Sequence, residues 1–417
     1  MGANSPVCID LWRFLYKILS QGVQLSENMV YCKKLCVWGK RSSMTNSNKL
    51  FLWQDPYDLA GSGGVFAAAM EENVRFQAEH CPDYARILAE QDCRLSGALR
   101  EEDLWRLPVL PTLYFKRHQL FSMPAGRLPI KATSSGTGGI KSRIGFDTGS
   151  LRRGLHMVLR MTRYHHLLSP VPCHYFILGY QPHRGNDTAF SKTGFGFTFF
   201  APALSRTYAL MWRDGGYRLD LEGMRQKLLR CAAGPFPVRT IGFPSYTYLL
   251  LSQMEREGIR LQLPKGSKIT MGGGWKQFEG QKVEKSELYR LAKSVLGVEE
   301  GDCVEFFGAV EHPILYTTCP CHHFHVPVYS RVIIRDVDTL EPVPNGSPGL
   351  VNLLTPMARS MPILSVMTDD LGVLHDTGEC PCGIRSPWLE ILGRVGVRDI
   401  VTCAAGAAEF LKGGTAT

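Results

Sequence analysis

Along this chain the apolar positions change period several times, and each change marks an element. Between residues 64 and 104 they recur every three or four places (Phe66, Met70, Val74, Phe76, Tyr84, Leu88), which predicts a helical region. Leu107-Pro-Val-Leu-Pro-Thr interrupts that pattern. Ile130-Lys-Ala-Thr reads as a strand, and Ser150 to Leu168 as a helix. Strand–loop–helix units follow: strands at Tyr175–Tyr180, Val238, Lys268 and Cys303, with helices at Leu221–Arg230 and Tyr246–Glu257. Later the pattern turns to short strands, at Val326–Arg335, Gly349–Leu354 and Asp370–Leu374. This succession predicts an α/β fold of mixed sheets flanked by helices, with ligand loops at strand ends and a small β-rich subdomain alongside.

Composition bounds the answer. With 417 residues, 44% hydrophobic and 20% charged, the chain is globular and long enough for two or three lobes. No run approaches the ~18 uncharged apolar residues of a membrane span. Asp10, Arg13 and Lys17 interrupt the apolar N-terminal stretch, which does not read as a signal peptide, so the expectation is a cytoplasmic protein without a transmembrane segment. The net charge is +9, but the first 50 residues carry seven Lys/Arg against two acids, or +5 of it. The remainder is near balance, without the basic stripe interleaved with aromatics that nucleic acid requires. Residues 1–49 are expected to be a poorly ordered basic extension, although Cys8 to Val23 could form an amphipathic helix. Thirteen cysteines, an odd number in so long a chain, do not make a disulfide scaffold.

The candidate chemistry starts at Ser134-Ser135-Gly136-Thr137-Gly138-Gly139-Ile140-Lys141. Glycines bring backbone N–H groups close to anionic oxygens, hydroxyls add donors, and a lysine adds point charge, as a polyphosphate requires. The spacing is not that of the Walker loop, and a solvated Gly/Ser linker is the bland reading. Downstream, Phe307-Gly308-Ala-Val-Glu311-His312 sets an aromatic, a turn glycine and a carboxylate together. An aromatic ring can stack on a base, and a glutamate can hold Mg²⁺ beside phosphate oxygens. Asp369-Asp370-Leu-Gly offers a carboxylate for ribose hydroxyls, and Gly393-Arg394 a guanidinium. Singly each is more often a turn. Gly194-Phe-Gly-Phe-Thr-Phe-Phe200 suits an acyl channel or plain core, Trp275 a cap on that channel or packing, and His165-His166 a surface pair.

In this order the segments resemble the adenylate-forming superfamily of acyl ligases, and within it the acyl-protein synthetase family, the fatty-acid-activating subunit of bacterial luminescence fatty acid reductase. The branch is marked by Gly139-Ile-Lys-Ser-Arg-Ile-Gly-Phe-Asp147 without the usual proline, by Gly272-Gly273-Gly274-Trp275-Lys276, and by Glu311-His312 followed by Cys319 and His325-Val-Pro. The resemblance covers about residues 50–405. It implies an adenylate-forming domain over residues 50–395 and, with 23 residues after Arg394, a short arm at 396–417 in place of the mobile C-terminal lobe of typical CoA ligases. It implies ATP phosphates on Ser134 to Gly139 with Lys141, adenine against Phe307-Gly308 and bordered by Gly273 and Gly274, ribose on Asp370 and Arg394, and Mg²⁺ on Glu311. Gly138 departs from the family's second threonine, and the paired acids common after the arginine are missing.

The activity so implied is ATP-dependent activation of a long-chain fatty acid as acyl-AMP. The acyl group then passes to a cysteine thiol as a thioester, for a fatty acid reductase partner. Cys403, nine residues after Arg394 and followed by Ala-Ala-Gly-Ala-Ala, is the expected acceptor, against an inert thiol. Cys319-Pro-Cys321-His-His-Phe-His325 and Cys380-Pro-Cys382 offer soft and imidazole ligands for tetrahedral Zn²⁺. A related aryl-CoA ligase branch has such a site, and Cys319, His325, Cys380 and Cys382 match its spacing. Two other functions stay open: an aryl- or acyl-adenylating enzyme delivering to CoA or an amine, and an adenylate-binding protein without turnover.

Overall fold

The computed structural model describes residues 44–394 apart from 92, 94–96, 135–141, 184–188, 276–277 and 279–281. The chain divides into two compact units, one holding residues 166–186 and 190–304, the other residues 45–165 and 305 onward.

The second-named unit starts with helix α1 (Asn46–Phe51), ahead of any element the sequence pattern predicts, and Leu50 and Phe51 lie in its core. The helical region expected over 64–104 is two helices, α2 (Leu59–His80) and α3 (Pro82–Glu90), with a 3₁₀ turn at Glu101–Arg106. Asp58 caps α2 by accepting from Gly61 N–H at 2.9 Å, and Pro82 starts the next helix where its missing N–H costs nothing. A two-residue strand β1 (Leu110–Pro111) leads into the short helix α4 (Thr112–Arg117). Strands β2 (Ile130–Thr133) and β3 (Arg143–Phe146) pair antiparallel as a ribbon. Helix α5 (Thr148–Tyr164) follows, capped by Asp147, and starts and stops a little before the predicted limits.

The chain then builds the first-named unit: β4 (Cys173–Tyr180), α6 (Ala189–Phe197), β5 (Ala203–Arg213), β6 (Gly216–Leu219), α7 (Leu221–Ala232), β7 (Val238–Gly242), α8 (Pro244–Arg256), β8 (Lys268–Gly272) and α9 (Lys285–Leu296). Strands β5, β4, β7 and β8 run parallel side by side, and β6 folds back antiparallel on β5. Val238–Gly242 is buried throughout, as a parallel strand covered on both faces must be. Its core includes Phe176, Leu228, Leu251, Ile269, Leu291 and Val295. The Gly194–Phe200 segment is mostly helical, with Phe197 packed edge-on to Phe200 at 4.7 Å and Arg206 over Phe195 and Phe199.

Strand β9 (Cys303–Phe307) carries the chain back into the other unit, where its far end pairs with β10 (Tyr316–Thr317). Strands β11 (Phe324–His325), β12 (Arg331–Arg335), β13 (Pro348–Leu354), β14 (Ser365–His375) and β15 (Trp388–Arg394) form the β-rich sheet in the order β11-β15-β14-β13-β12, with β1 parallel on β14. The strand expected over Val326–Arg335 is confined to its last five residues, because Pro327 cannot donate to a ladder. Val326 and Val328 are buried all the same. Phe66, Met70, Tyr84, Tyr316, Tyr329 and Leu353 are among the side chains of this unit's core.

Candidate active site

Five segments of the second-named unit meet around buried carboxylates. The ribbon β2–β3 is closed at its open end by two bonds, Ser134 N–H to Ser142 C=O at 3.2 Å and Ser142 N–H to Ser134 Oγ at 3.1 Å. The glycine-rich segment 135–141, including the candidates Ser135, Gly136, Thr137, Gly138, Gly139 and Lys141, lies outside the described residues, as does Cys403. Its two ends are thus held at one paired position. From that position the Ser142 hydroxyl donates to Glu311 Oε1.

Glu311 sits in the turn after β9 and is 4% exposed. Burial pushes its carboxyl above the usual range, and the Ser142 bond and the charges of Lys116 and Arg394 oppose that shift. An ionised carboxylate supplies oxygen donors of the kind a hard divalent cation takes, and the positive charges of Lys116 and Arg394 favour that ionised form. Gly308, which opens the turn, is required sterically: a Cβ there would lie 2.9 Å from the Ile314 carbonyl oxygen. Phe307 is half-buried, with its ring edge-on to Tyr316 at 5.7 Å.

The second acidic group comes from β14. Pairing of Pro111 with Met367 brings Thr112, the first residue of α4, beside Asp369, and Thr112 Oγ1 donates to Asp369 Oδ1 at 3.2 Å. Across the other edge Asp370 is in register with Arg394, whose Nη2 donates to Asp369 Oδ2 at 3.4 Å. Burial raises the Asp370 carboxyl, and Arg394 counters it. Glu311, Asp370 and Arg394, which the sequence places in separate motifs, therefore belong to one constellation. Gly273 and Gly274 belong to the other unit, where both adopt left-handed backbone (φ 84° and 71°), open to glycine and strained for other residues. Trp275 is buried there against Tyr248.

Beneath Glu311, His312 is fully buried, its Nε2 3.0 Å from the Ser330 hydroxyl, which also accepts from Tyr316 OH at 2.7 Å. Burial drives the imidazole down to about 3, so it stays neutral.

The ligating atoms of Cys319, His325, Cys380 and Cys382 lie within 4.8 Å of one another. Cys319 Sγ is 3.7 Å from Cys380 Sγ, and Cys382 Sγ is 3.3 Å from His325 Nε2. A tetrahedron with Zn–S of ~2.3 Å and Zn–N of ~2.0–2.1 Å has edges of about 3.8 and 3.6 Å. The residues fit. His325 Nδ1 donates to the Ser386 carbonyl at 2.9 Å, which fixes Nε2 as the coordinating nitrogen. Backbone N–H groups of Cys321 and Ile384 donate to the sulfurs of Cys319 and Cys382, the geometry of two thiolate knuckles. Around them Trp388 is sandwiched at 3.7 Å between His323 and His375, and Tyr57 hydroxyl meets His165 Nε2 at 2.5 Å.

A family model described as "Acyl-protein synthetase, LuxE" matches residues 42–411, most of the chain. The chain belongs to the acyl-protein synthetase family. Among its relatives, two proteins named long-chain-fatty-acid–luciferin-component ligase are similar: that of Vibrio harveyi at 27% identity over 74% of this chain and 79% of the relative, and that of Aliivibrio fischeri at 25% over 73% and 79%. A phenylacetate-coenzyme A ligase of Thermus thermophilus is 24% identical over 74% of this chain and 65% of its own length. The fold of this acyl-protein synthetase is that of 2-hydroxyisobutyryl-CoA ligase, at a TM-score of 0.60 with 16% identity, over 82% of this chain and 77% of the other. No helix among the described residues is long and apolar enough to cross a membrane.

Ser142, Thr112 and Lys116 were not singled out in the sequence, and Asp369 was named there only within the motif that gave Asp370. Asp369 stands next to a chosen aspartate, and Ser142 follows a chosen lysine. Thr112 and Lys116, four residues apart and so on one face of α4, carry no signal until β1 is known to pair with β14.

Proposed function

We propose that this acyl-protein synthetase activates a long-chain fatty acid with ATP to acyl-AMP and passes the acyl group to a thiol as a thioester for a reductase partner. The observation that carries the reading is Glu311, a buried carboxylate tied by Ser142 to the neck of the glycine-rich segment, in the unit that also holds Asp370 and Arg394. The relatives to which the chain is similar are named for long-chain fatty acids, which supports that substrate class.

In this mechanism the phosphates of ATP lie along Ser134 to Gly139 with Lys141, whose charge offsets repulsion between the nucleotide and the attacking carboxylate. Asp370 and Arg394 orient the ribose, and Phe307-Gly308 border the adenine. Held in line, the fatty carboxylate oxygen forms a bond to the α-phosphorus while the bond to pyrophosphate breaks. Glu311 holds Mg²⁺, which supplies charge neutralisation at the phosphates. The Cys403 sulfur then attacks the acyl carbonyl, AMP leaves, and a thioester remains. Zn²⁺ on Cys319, His325, Cys380 and Cys382 has a structural role. Residues 50–395 form the adenylating domain, preceded by a basic extension and followed by a short arm.

Acid-dependent ATP–pyrophosphate exchange with a panel of acids tests the first half. Strong exchange with long-chain acids and none with aryl acids is expected, and loss of exchange in the wild type refutes the reading. Thioester formation without CoA, as a hydroxylamine-labile acyl label lost in Cys403→Ser, tests the second half. A label that survives this change removes Cys403, and a strict need for CoA favours the CoA-ligase alternative.

A further inference from the structure

We infer that Ser142 is a positioning residue for adenylation, clasping Glu311 to the Ser134–Ser142 pair that closes the β2–β3 ribbon. The inference rests on the proposed function, in which Glu311 holds the divalent cation.

Ser142 is completely buried, and its backbone and hydroxyl act in different directions. The backbone N–H and C=O both bond Ser134, which closes the ribbon, while the hydroxyl bonds Glu311, 169 residues away along the chain. Arg143, the next residue, is already paired with Thr133 in the ribbon ladder, so the serine cannot drift along the chain. The hydroxyl holds Oε1 of Glu311 and thereby restricts rotation of the carboxylate. Without that donor the carboxylate would lose its named side-chain hydrogen bond in a site that strongly disfavours its charge. Thr318, Thr368 and Thr112 bond elsewhere, to Glu305 N–H, Val351 C=O and Asp369.

The test compares the full chain as wild type, Ser142→Ala, Ser142→Gly, Ser142→Thr, Glu311→Gln and the double variant Ser142→Ala with Glu311→Gln. One readout is the Mg²⁺ concentration giving half-maximal ATP–pyrophosphate exchange. The other, independent of turnover, is Mn²⁺ affinity in the presence of ATP by electron paramagnetic resonance. Losing a hydrogen bond to a charged group should weaken both roughly ten-fold in the alanine and glycine variants. Threonine, which keeps the hydroxyl, restores them to within about three-fold, and the pair is no worse than Glu311→Gln alone.

A purely structural serine would lower the melting temperature without moving the metal dependence. Unchanged metal half-saturation in the alanine and glycine variants, or threonine as impaired as alanine, overturns the inference. If wild type binds Mn²⁺–ATP but performs no exchange, the adenylation reading fails, and a loosened Mn²⁺ in Ser142→Ala still supports the clasp. If wild type holds no Mn²⁺–ATP, both fall.

Discussion

Removing metal from the Cys/His cluster should unfold the protein at a markedly lower temperature, and the size of the drop can be worked from the chain. The ligands come from two knuckles, and the shortest span between the knuckles that the metal closes, from His325 to Cys380, is about 55 residues. Cross-linking such a span removes ~4 kcal/mol of chain entropy from the unfolded state. The unit that contains it has about 200 described residues, whose unfolding entropy at ~2.1 cal/mol/K each is about 0.4 kcal/mol/K. The midpoint should fall by roughly 9 °C on stripping the metal, and recover on adding Zn²⁺. Elemental analysis should find close to one zinc per chain. Cys380→Ser should lose it, whereas Cys321→Ser, outside the four-ligand set, should keep it. Cobalt substitution should show thiolate charge-transfer absorption of a tetrahedral site. Less than ~0.2 zinc per chain in non-chelating buffer, or a midpoint indifferent to chelation, would refute the reasoning.

The buried acids make the nucleotide-free protein sensitive to pH. Because burial holds Glu311 and Asp370 above their ordinary values, the folded state binds their protons more tightly than the unfolded chain. Their contribution to stability is present below the unfolded values near ~4 and is lost as pH rises through the folded ones. Calorimetry from pH 5 to 8 should therefore show Glu311→Gln melting above wild type, with the gap widening toward pH 8, while exchange activity collapses; a gap that narrows with pH is the refuting result. Asp369→Asn should leave the fold intact but loosen Arg394, raising KM for ATP several-fold with a smaller change in kcat, as steady-state exchange would report. Gly308→Ala forces a Cβ against the Ile314 carbonyl and should cost ~1–3 kcal/mol in urea titration, together with most exchange activity.

The parts of the site legible in the sequence were those whose chemistry is local. Phe307-Gly308 through Glu311 reads as aromatic, turn and carboxylate because all three lie in one five-residue stretch, and the cysteine knuckles announce themselves by spacing. The α/β succession was legible for the same reason, since a fully apolar strand such as Val238–Gly242 differs in period from the helix after it. Long-range register was not. Asp369 is drawn from the ribose-type motif toward Thr112 and Arg394 only because β14 pairs with β1 on one side and β15 on the other. Ser142 gave no signal because its partner is far along the chain and its neighbours drew attention as phosphate ligands. Helix α1 was overlooked since six residues are too few to display a period.

Pairing of Ser134 with Ser142 bears on how this enzyme can vary. A ribbon locked at its mouth does not transmit the length of what it carries, since doubling the length of a loop closed at fixed ends costs only about 0.6 kcal/mol. Substitutions and insertions between those two serines can therefore be sampled, by evolution or by a library, with the scaffold beneath left as it is. A library that varies that stretch while both serines are kept would therefore report on phosphate binding rather than on folding.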